Sequence, residues 1–302
     1  MIDRRTWMLG AGAAAVGTLL PLAHGIAKTP SWPIGVQLWS VQAELQRDFE
    51  GTLGKLRAIG FQKVEAASWL GRDPAAFGKA IRAAGLNGDS AHIDLPSLAK
   101  DMAGAIGAAR DAGCRYLIVA SPLPPTPLKP GPQWLTDLVK IMTPAAWRTS
   151  AALIDKASRL AQRAGITLGY HNHIAEFTGT GDDQGMAILL ANTDATLVKL
   201  ELDVAWAVAA GQDVAALIRM HGKRIVRLHL KDLKTKAVPG QVSSTFDQVA
   251  VGQGTIDWAS IIAATRGTAV AGAYLEVDPP HQRPALDILQ ESLTYLTKLR
   301  AN

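Results

Sequence analysis

The chain has 302 residues, a formal net charge of +5 and a single cysteine, Cys114. One cysteine excludes an intrachain disulfide, and the basic residues are interleaved with acidic ones rather than gathered beside aromatic residues, so nucleic acid is not an expected partner. A hydrophobic fraction of 48% predicts a large packed core, in a length that suits one or two domains.

The first 27 residues have the pattern of an export signal. Arg4 and Arg5 precede the apolar run GAGAAAVGTLLPLA, and small residues lead on to Ala27. Adjacent arginines before such a run indicate the twin-arginine type of signal. A membrane anchor or an ordinary helix is the alternative, but the run is shorter than the ~20 residues that span a bilayer. We predict a signal at 1–27, a mature domain at 28–302, a periplasmic location, and no membrane association once the signal is removed.

Strand-like and helix-like segments alternate through the rest of the chain. The candidate strands are 34–41, 61–66, 86–93, 115–120, 166–173, 197–204, 225–231 and 271–277. The candidate helices are 48–58, 73–84, 97–112, 145–164, 212–221, 257–265 and 284–300. Glycines at 60, 85, 113 and 165 stand where helices are expected to end.

Eight strands that alternate with helices predict a (β/α)₈ TIM barrel in the α/β class, built as a single domain. A doubly wound open sheet is the alternative, but no glycine-rich phosphate loop follows the first candidate strand. Two connections, 121–144 and 232–256, are longer than the others, and the first is rich in proline. We expect both to lie at the carboxyl ends of the strands, where long loops of barrels carry function.

Polar side chains gather at the carboxyl ends of the candidate strands. These residues are Glu65, His92, His171, His173, Glu201, Asp203, His229, Lys231 and Glu276, with Glu176 shortly after the fifth strand. A barrel brings all strand ends to one face, so these side chains are expected to meet there. Each residue taken singly also fits a structural role, such as a hydrogen-bonded core histidine or a salt-bridge partner.

Strand geometry narrows this set. Because side chains two residues apart share a face, Glu201 points with Asp203, His171 with His173, and His229 with Lys231. Asp203, His229 and Glu276 come from three successive strands, and a donor from the fifth strand would complete a set of nitrogen and oxygen ligands. Imidazoles and carboxylates suit one divalent cation: we expect Mn²⁺, with Zn²⁺, Co²⁺, Fe²⁺ or Mg²⁺ as alternatives.

Several segments together resemble the xylose isomerase-like TIM-barrel superfamily, in its sugar phosphate isomerase/epimerase branch. The most specific of them are YHNH with EF shortly after it, LDVAW and HLKD in this order, and the likeness extends over nearly all of the mature chain. Members of this family hold one divalent cation with four side chains, commonly Glu, Asp, His and Glu.

The resemblance implies roles for individual residues. Asp203, His229 and Glu276 match three of the metal ligands, and His171 is the expected fourth, although His173 and Glu176 are alternatives on the same segment. By the same likeness, Glu276, Glu176, His173 and Lys231 are expected to take part in catalysis. Glu65 and His92 match residues that line the substrate pocket.

A histidine on the fifth strand is a departure from the family pattern. Epimerases of this kind use a metal-bound Glu on each side of the substrate carbon, and here only Glu276 keeps that role. Isomerisation, and β-elimination from a keto-sugar, therefore stay open beside epimerisation. All three pass through an enediolate that a cation stabilises. Trp39, Trp69 and Trp206 could supply faces for sugar binding, with plain packing as the alternative.

The sequence therefore predicts a metal-dependent enzyme that acts on a free sugar, a polyol or a 3-keto-glycoside. No phosphate cradle is evident, so a neutral carbohydrate is the expected substrate. An exported protein that binds sugar without converting it is the second hypothesis, and a metal-dependent endonuclease the third. The sequence leaves open whether the protein forms a homo-oligomer.

Overall fold

The computed structural model describes residues 32–129, 131, 133–236 and 247–301. The export signal predicted at 1–27 lies outside the described residues and stays a prediction. Within the described part of the chain, no helix is long and apolar enough to cross a membrane.

The described residues form a closed barrel of parallel strands. Its strands are β1 (Ile34–Gln37), β2 (Lys63–Ala66), β3 (Asn87–Asp94), β4 (Tyr116–Ser121), β5 (Thr167–His171), β6 (Val198–Asp203), β7 (Ile225–Leu230) and β10 (Ala273–Leu275). Each strand pairs with its neighbours in sequence, and β10 pairs with β1 to close the barrel. Closure confirms the predicted (β/α)₈ fold and excludes the open sheet. A short antiparallel pair, β8 (Asp232–Leu233) with β9 (Gln248–Val249), follows β7.

Helices surround the barrel and mostly follow the predicted segments. They are α1 (Gln42–Arg47), α2 (Phe49–Ile59), α3 (Pro74–Ala83), α4 (Leu95–Lys100), α5 (Met102–Ala112), α6 (Trp134–Ile141), α7 (Pro144–Arg163), α8 (Gly185–Ala191), α9 (Val204–Ala209), α10 (Val214–His221), α11 (Trp258–Ala264) and α12 (Ala285–Ala301). The left-handed φ of 116° at Gly60 and 90° at Gly113 confirms the predicted helix ends.

Two predicted elements are interrupted by side chains that bond to the backbone. The strand predicted at 34–41 ends at Gln37, whose side-chain oxygen accepts a hydrogen bond from Trp39 N (3.2 Å), and a 3₁₀ helix follows. The helix predicted at 97–112 is two helices, because the Asp101 carboxylate accepts from Gly104 N (2.8 Å) and starts α5. The first change matters for function, since it turns Trp39 toward the carboxyl end of the barrel.

The amino end of the barrel interior is closed by a polar cluster. The Asp89 carboxylate accepts from Lys63 Nζ (2.7 Å), Arg227 Nη2 (3.3 Å) and the Tyr274 hydroxyl (2.8 Å). The carboxylate is paired with both cations, and such pairing is how buried charges are tolerated. The opposite, carboxyl end carries the candidate site.

Candidate metal centre and active site

The candidate site is built by strand ends that the barrel sets side by side. In the strand register, His171 lies beside Glu201, and Asp203 lies beside His229. All four side chains are buried. Glu276 follows β10 directly and is also buried. The predicted convergence of strand-end residues is therefore present in the structure.

Two carboxylates, Glu65 and Glu201, form the floor of the site. Glu65 accepts from Gln37 Nε2 (2.8 Å) and from the Ser90 hydroxyl, and its Oε2 lies 2.7 Å from His229 Nε2. Burial by itself would raise the pKa of Glu65, but the adjacent His92 and His229 hold it well below its usual range. The floor is therefore ionised at neutral pH.

Glu201 links three imidazoles through a single oxygen. Its Oε1 lies 2.8 Å from His92 Nε2, 3.0 Å from His229 Nε2 and 3.2 Å from His171 Nδ1. Burial favours the neutral acid, yet the nearby imidazoles outweigh it and lower the pKa of Glu201 to about 2. Although burial opposes protonation of His92, Glu65 and Glu201 raise the pKa of this imidazole to about 9. One carboxylate thus orients three rings.

Above this floor, His171, Asp203, His229 and Glu276 each offer a ligand atom, and these atoms lie within 4.8 Å of one another. We call these four residues the upper set. His171 Nε2 lies 3.8 Å from Asp203 Oδ2, and His229 Nδ1 lies 2.6 Å from Glu276 Oε2. Each ring therefore faces the floor with one nitrogen and this upper set with the other. That is the arrangement in which a histidine donates to a carboxylate and keeps its second nitrogen for a metal.

A second group of residues also offers ligand atoms that lie within 4.8 Å of one another: His92, His171, Glu201 and His229. It shares two imidazoles with the upper set, and one oxygen of Glu201 already lies within hydrogen-bonding distance of three rings. The upper set also reaches the cavity above the barrel, which His171 and Glu276 line. The upper set is therefore the better metal site.

Lys231 adds a positive charge beside the upper set. Its Nζ lies 3.1 Å from Asp203 Oδ2, 3.0 Å from Glu276 Oε2 and 3.0 Å from Asp278 Oδ2. Burial alone would lower the pKa of Lys231, but these three carboxylates raise it well above its usual range. Gln248 holds Asp278 in place through its side-chain amide (2.8 Å).

The net charge of the site is negative, which favours binding of a divalent cation. Its five buried or partly buried carboxylates face one lysine and the protonated imidazole of His92, while His229 is neutral as a metal ligand, which leaves negative charge in excess. Glu201 Oε2 is buried without a hydrogen bond from any described residue, and Asp203 Oδ2 is buried with the Lys231 ammonium 3.1 Å away. Burial raises the pKa of Asp203 to about 6, with Lys231 only partly offsetting it. The donor set and these two oxygens fit a cation such as Zn²⁺ or Mn²⁺.

Glu176 supports the backbone next to the site. It is fully buried, accepting from the Tyr170 hydroxyl (2.6 Å) at Oε1 and from His173 N (2.8 Å) at Oε2. Burial raises the pKa of Glu176 to about 7. Glu176 lies outside the cavity lining, so the structure places this predicted catalytic residue behind the site rather than in it.

His173 follows β5 rather than ending it, and its ring reaches the cavity wall. The ring lies between Trp134 (centroids 6.2 Å apart) and Trp206 (5.7 Å). Burial first, and then the charge of Lys231, lowers the pKa of His173 to about 3, so its imidazole is neutral. His173 Nδ1 is buried without a hydrogen bond from any described residue.

A cavity of about 550 Å³ opens over these groups. Trp39, Trp69 and Trp134 form aromatic walls, and His92 lies among the polar lining. Trp39 and His92 therefore line the cavity, as expected for residues that bind the substrate. Glu65 lies below His92 and Trp206 packs behind His173, so neither of these two predicted substrate contacts lines the cavity.

Two residues that sequence reasoning did not assign hold the site together. The Asn172 side chain accepts from Asp203 N (3.0 Å) and donates to Asp203 O (3.3 Å), which fixes the end of β6. The second residue, Asp232, is buried. The donors to its carboxylate are Leu233 N (2.9 Å), Gly252 N (2.8 Å), Gly254 N (3.2 Å), Ile256 N (3.3 Å) and Trp258 Nε1 (2.9 Å).

The sequence signal for this carboxylate contact is the pair of glycines in the segment VGQGTIDW, residues 251–258. A β-carbon at Gly254 would collide with the Asp232 carboxylate, and one at Gly252 would collide with the Tyr295 ring. Gly252 also adopts a left-handed φ of 91°. The motif is therefore a backbone cradle for Asp232, which directly follows Lys231.

Comparisons with known proteins agree with this architecture. The inosose dehydratase of Clostridium tetani is 32% identical over 98 residues, which are 32% of this chain and 32% of that protein. The match thus spans about a third of the relative's length.

Two solved structures share the fold. A sugar phosphate isomerase/epimerase from Parabacteroides distasonis has a TM-score of 0.68 at 21% identity, covering 89% of this chain and 94% of that one. The IolI protein with a bound zinc atom has a TM-score of 0.65 at 15% identity, covering 89% and 98%. The family described as Xylose isomerase-like TIM barrel matches residues 53–299. Because that match covers most of the sequence, this chain belongs to the xylose isomerase-like TIM-barrel family.

Proposed function

We propose that this protein is a metal-dependent enzyme that eliminates water or an alcohol from a keto-sugar or keto-polyol. The observation that carries the proposal is the upper set, His171, Asp203, His229 and Glu276, at the base of a cavity with aromatic walls. Isomerases, epimerases and lyases of sugars share the first step, removal of a proton next to a carbonyl. The name of the Clostridium tetani relative, a dehydratase of an inosose, favours elimination.

The upper set would hold one divalent cation. When bound, it supplies the positive charge that acidifies the neighbouring C–H and stabilises an enediolate. Mn²⁺ is the metal we expect, and the zinc atom of the IolI protein makes Zn²⁺ the first alternative to test. Glu201 and Glu65 position the two imidazole ligands from below.

Two imidazoles on the cavity wall are suited to opposite proton transfers. The His173 ring lines the cavity and is neutral, so it is placed to take the proton from carbon. His92 stands between Glu65 and Glu201, which keep it protonated, so it can give a proton to the departing oxygen. The C–H electron pair moves toward the carbonyl to form the enediolate, and it then forms the new C=C double bond as the C–O bond breaks. Proton removal by Glu276 itself, as the sequence predicts, stays the second arrangement.

The substrate would lie against the tryptophans. Sugar C–H surfaces pack on aromatic faces, and Trp39, Trp69 and Trp134 offer such faces on three sides of the cavity. Lys231 is held by carboxylates beside the upper set, where its charge would attract substrate oxygens.

The direct test is incubation of the purified protein with aldoses, ketoses, inososes and 3-keto-glycosides in D₂O, with Mn²⁺, Zn²⁺ or Co²⁺ added. NMR should show loss of water or alcohol and deuterium at the carbon next to the carbonyl. The chelator-stripped protein should be inactive. Full activity after stripping, or sugar recovered unchanged from the whole panel, would contradict the proposal. Deuterium exchange with an isomeric product would instead indicate an isomerase or epimerase.

Metal binding can be tested separately with Asp203→Asn. The Asp203 carboxylate also caps α9 by accepting from Trp206 N (2.9 Å), and Asn keeps that bond while losing the charge. Asp213→Asn is the matched control, since Asp213 caps α10 through Ala216 N (2.9 Å) far from the site. We expect Asp203→Asn to weaken metal binding by more than the roughly 10–100-fold that a lost supporting partner costs. Equal metal content in the two variants would contradict the ligand assignment.

We also propose that the protein acts in the periplasm after export. The support is the sequence pattern alone, Arg4 and Arg5 before the apolar run.

A further inference from the structure

A second, larger cavity lies next to the candidate active site. It measures about 930 Å³ and opens between the loop that follows β4 and the start of α7. Its lining is mainly apolar and includes Pro122, Leu123, Pro124, Pro125, Pro127 and Leu128. None of the residues assigned to proton transfer or metal binding belongs to it.

The loop residues that line this cavity are rich in proline and offer few polar groups. Proline has a fixed φ and no N–H, so a proline-rich loop can face an apolar ligand without leaving donors unsatisfied. Leu123 N donates to Ser150 Oγ (3.1 Å), and Ser150 Oγ donates to Ala146 O (3.0 Å), which anchors the loop to α7. The cavity is therefore built into the fold.

The two cavities adjoin and share two lining residues. Trp134 and Asp94 line both of them. The Trp134 ring meets the His173 ring edge to face, with an interplanar angle of 74°, so one side of the indole belongs to the reaction cavity. Asp94 is tied to Ser97 through Ser97 N and Oγ (both 2.8 Å) and forms a fixed rim. A ligand long enough to pass this rim would therefore contact both cavities.

We propose that the substrate is a conjugate of a sugar with an apolar ring, and that the proline-lined cavity binds the ring. This inference rests on the proposed function for the sugar half, which would lie in the cavity of about 550 Å³. The combined space exceeds what one monosaccharide needs, and the apolar lining suits an aromatic or alicyclic group rather than a second sugar. A free sugar would leave the larger cavity unused.

The test compares phenyl β-D-glucopyranoside with methyl β-D-glucopyranoside, which carry the same sugar and differ in the group attached. Binding to the Zn²⁺-loaded protein, whose metal is diamagnetic, is followed by the ¹³C-methyl NMR signals of its leucines. We expect the phenyl compound to shift the Leu123 and Leu128 signals and to bind about 10-fold more tightly or better, because its ring buries apolar surface.

A variant that fills the cavity provides the control. Thr149 is exposed on α7, lines the cavity, and its hydroxyl bonds only to Ala145 O (3.1 Å), so Thr149→Phe places a ring there without disturbing the core. Thr297→Phe is the matched change, because Thr297 makes the same bond to Leu293 O (2.7 Å) on exposed α12. We expect Thr149→Phe to make the two affinities equal and Thr297→Phe to keep the preference.

Three results would overturn the proposal: equal affinities in the unaltered protein, no binding of either glycoside, or a preference that survives Thr149→Phe. A change in oligomeric state on Thr149→Phe, measured by light scattering, together with absent glycoside binding would instead make this surface a protein contact. Each of these leaves metal binding and the D₂O assay unaffected, so failure here is distinguishable from failure of the proposed function.

Discussion

Asp232→Asn tests the backbone cradle that follows Lys231. The carboxylate of Asp232 accepts five hydrogen bonds, two at Oδ1 and three at Oδ2. Asn has one acceptor oxygen, and its NH₂ group would point at N–H donors. The least harmful orientation keeps the oxygen at the Oδ2 position and loses the two bonds from Leu233 N and Ile256 N.

The expected loss of stability follows from that count. A hydrogen bond to a charged group contributes about 1.5–3 kcal/mol, so two lost bonds cost about 3–6 kcal/mol, and the remaining three weaken as the charge disappears. For a domain of this size the melting temperature should fall on the order of 10 °C. The cradle holds the segment behind Lys231, so a looser segment should also reduce turnover.

The assay is thermal unfolding followed by circular dichroism, with urea unfolding as a second measurement. Asp257→Asn is the control in the same segment, because Asp257 is an exposed helix cap with one bond to Ser260 N (3.1 Å) and Asn caps equally well. We expect the control to change stability by less than about 0.5 kcal/mol. A loss below about 1 kcal/mol in Asp232→Asn would refute the reasoning, since the five contacts would then carry little of the free energy of unfolding.

Three further predictions concern the site and its location. Glu201→Gln removes the charge that orients three imidazoles and should weaken metal binding by roughly 10–100-fold in a chelator competition assay; unchanged affinity would show that the floor does not support the ligands. Burial raises the pKa of Glu176 to about 7, so the stability that this group contributes is complete below about pH 4.5 and is lost as the pH rises through 7. Glu176→Gln keeps the neutral shape, and its stability relative to the unaltered protein should rise by at most about 3 kcal/mol between pH 4.5 and 8 in urea titrations; parallel pH profiles would contradict the shifted pKa. Replacing both Arg4 and Arg5 with Lys should retain the protein in the cytoplasm, as measured by cell fractionation, and an unchanged periplasmic fraction would argue against the twin-arginine route.

Much of the site could be predicted because strand alternation is a local property. Side chains two residues apart share a face whatever the rest of the chain does, so the pairs Glu201 with Asp203 and His229 with Lys231 followed from spacing. Residues that act through backbone bonds left weaker signals. Asn172 stands between His171 and His173, which were the residues predicted for the site. Nevertheless, Asn172 is the residue whose side chain fixes the Asp203 backbone.

By itself, the sequence determined the alternation of eight strands with helices. It also determined that histidines and carboxylates lie at the strand ends. Both could be predicted because hydrophobic periodicity and helix-ending glycines are signals that extend over only a few residues. Only the tertiary structure decided which of these groups touch. Glu65 meets His229 through barrel closure, and Glu176 and Trp206 turn away from the cavity although their segments lead to it. Contacts between strands distant in sequence depend on the tilt and register of the closed sheet, which no local pattern encodes.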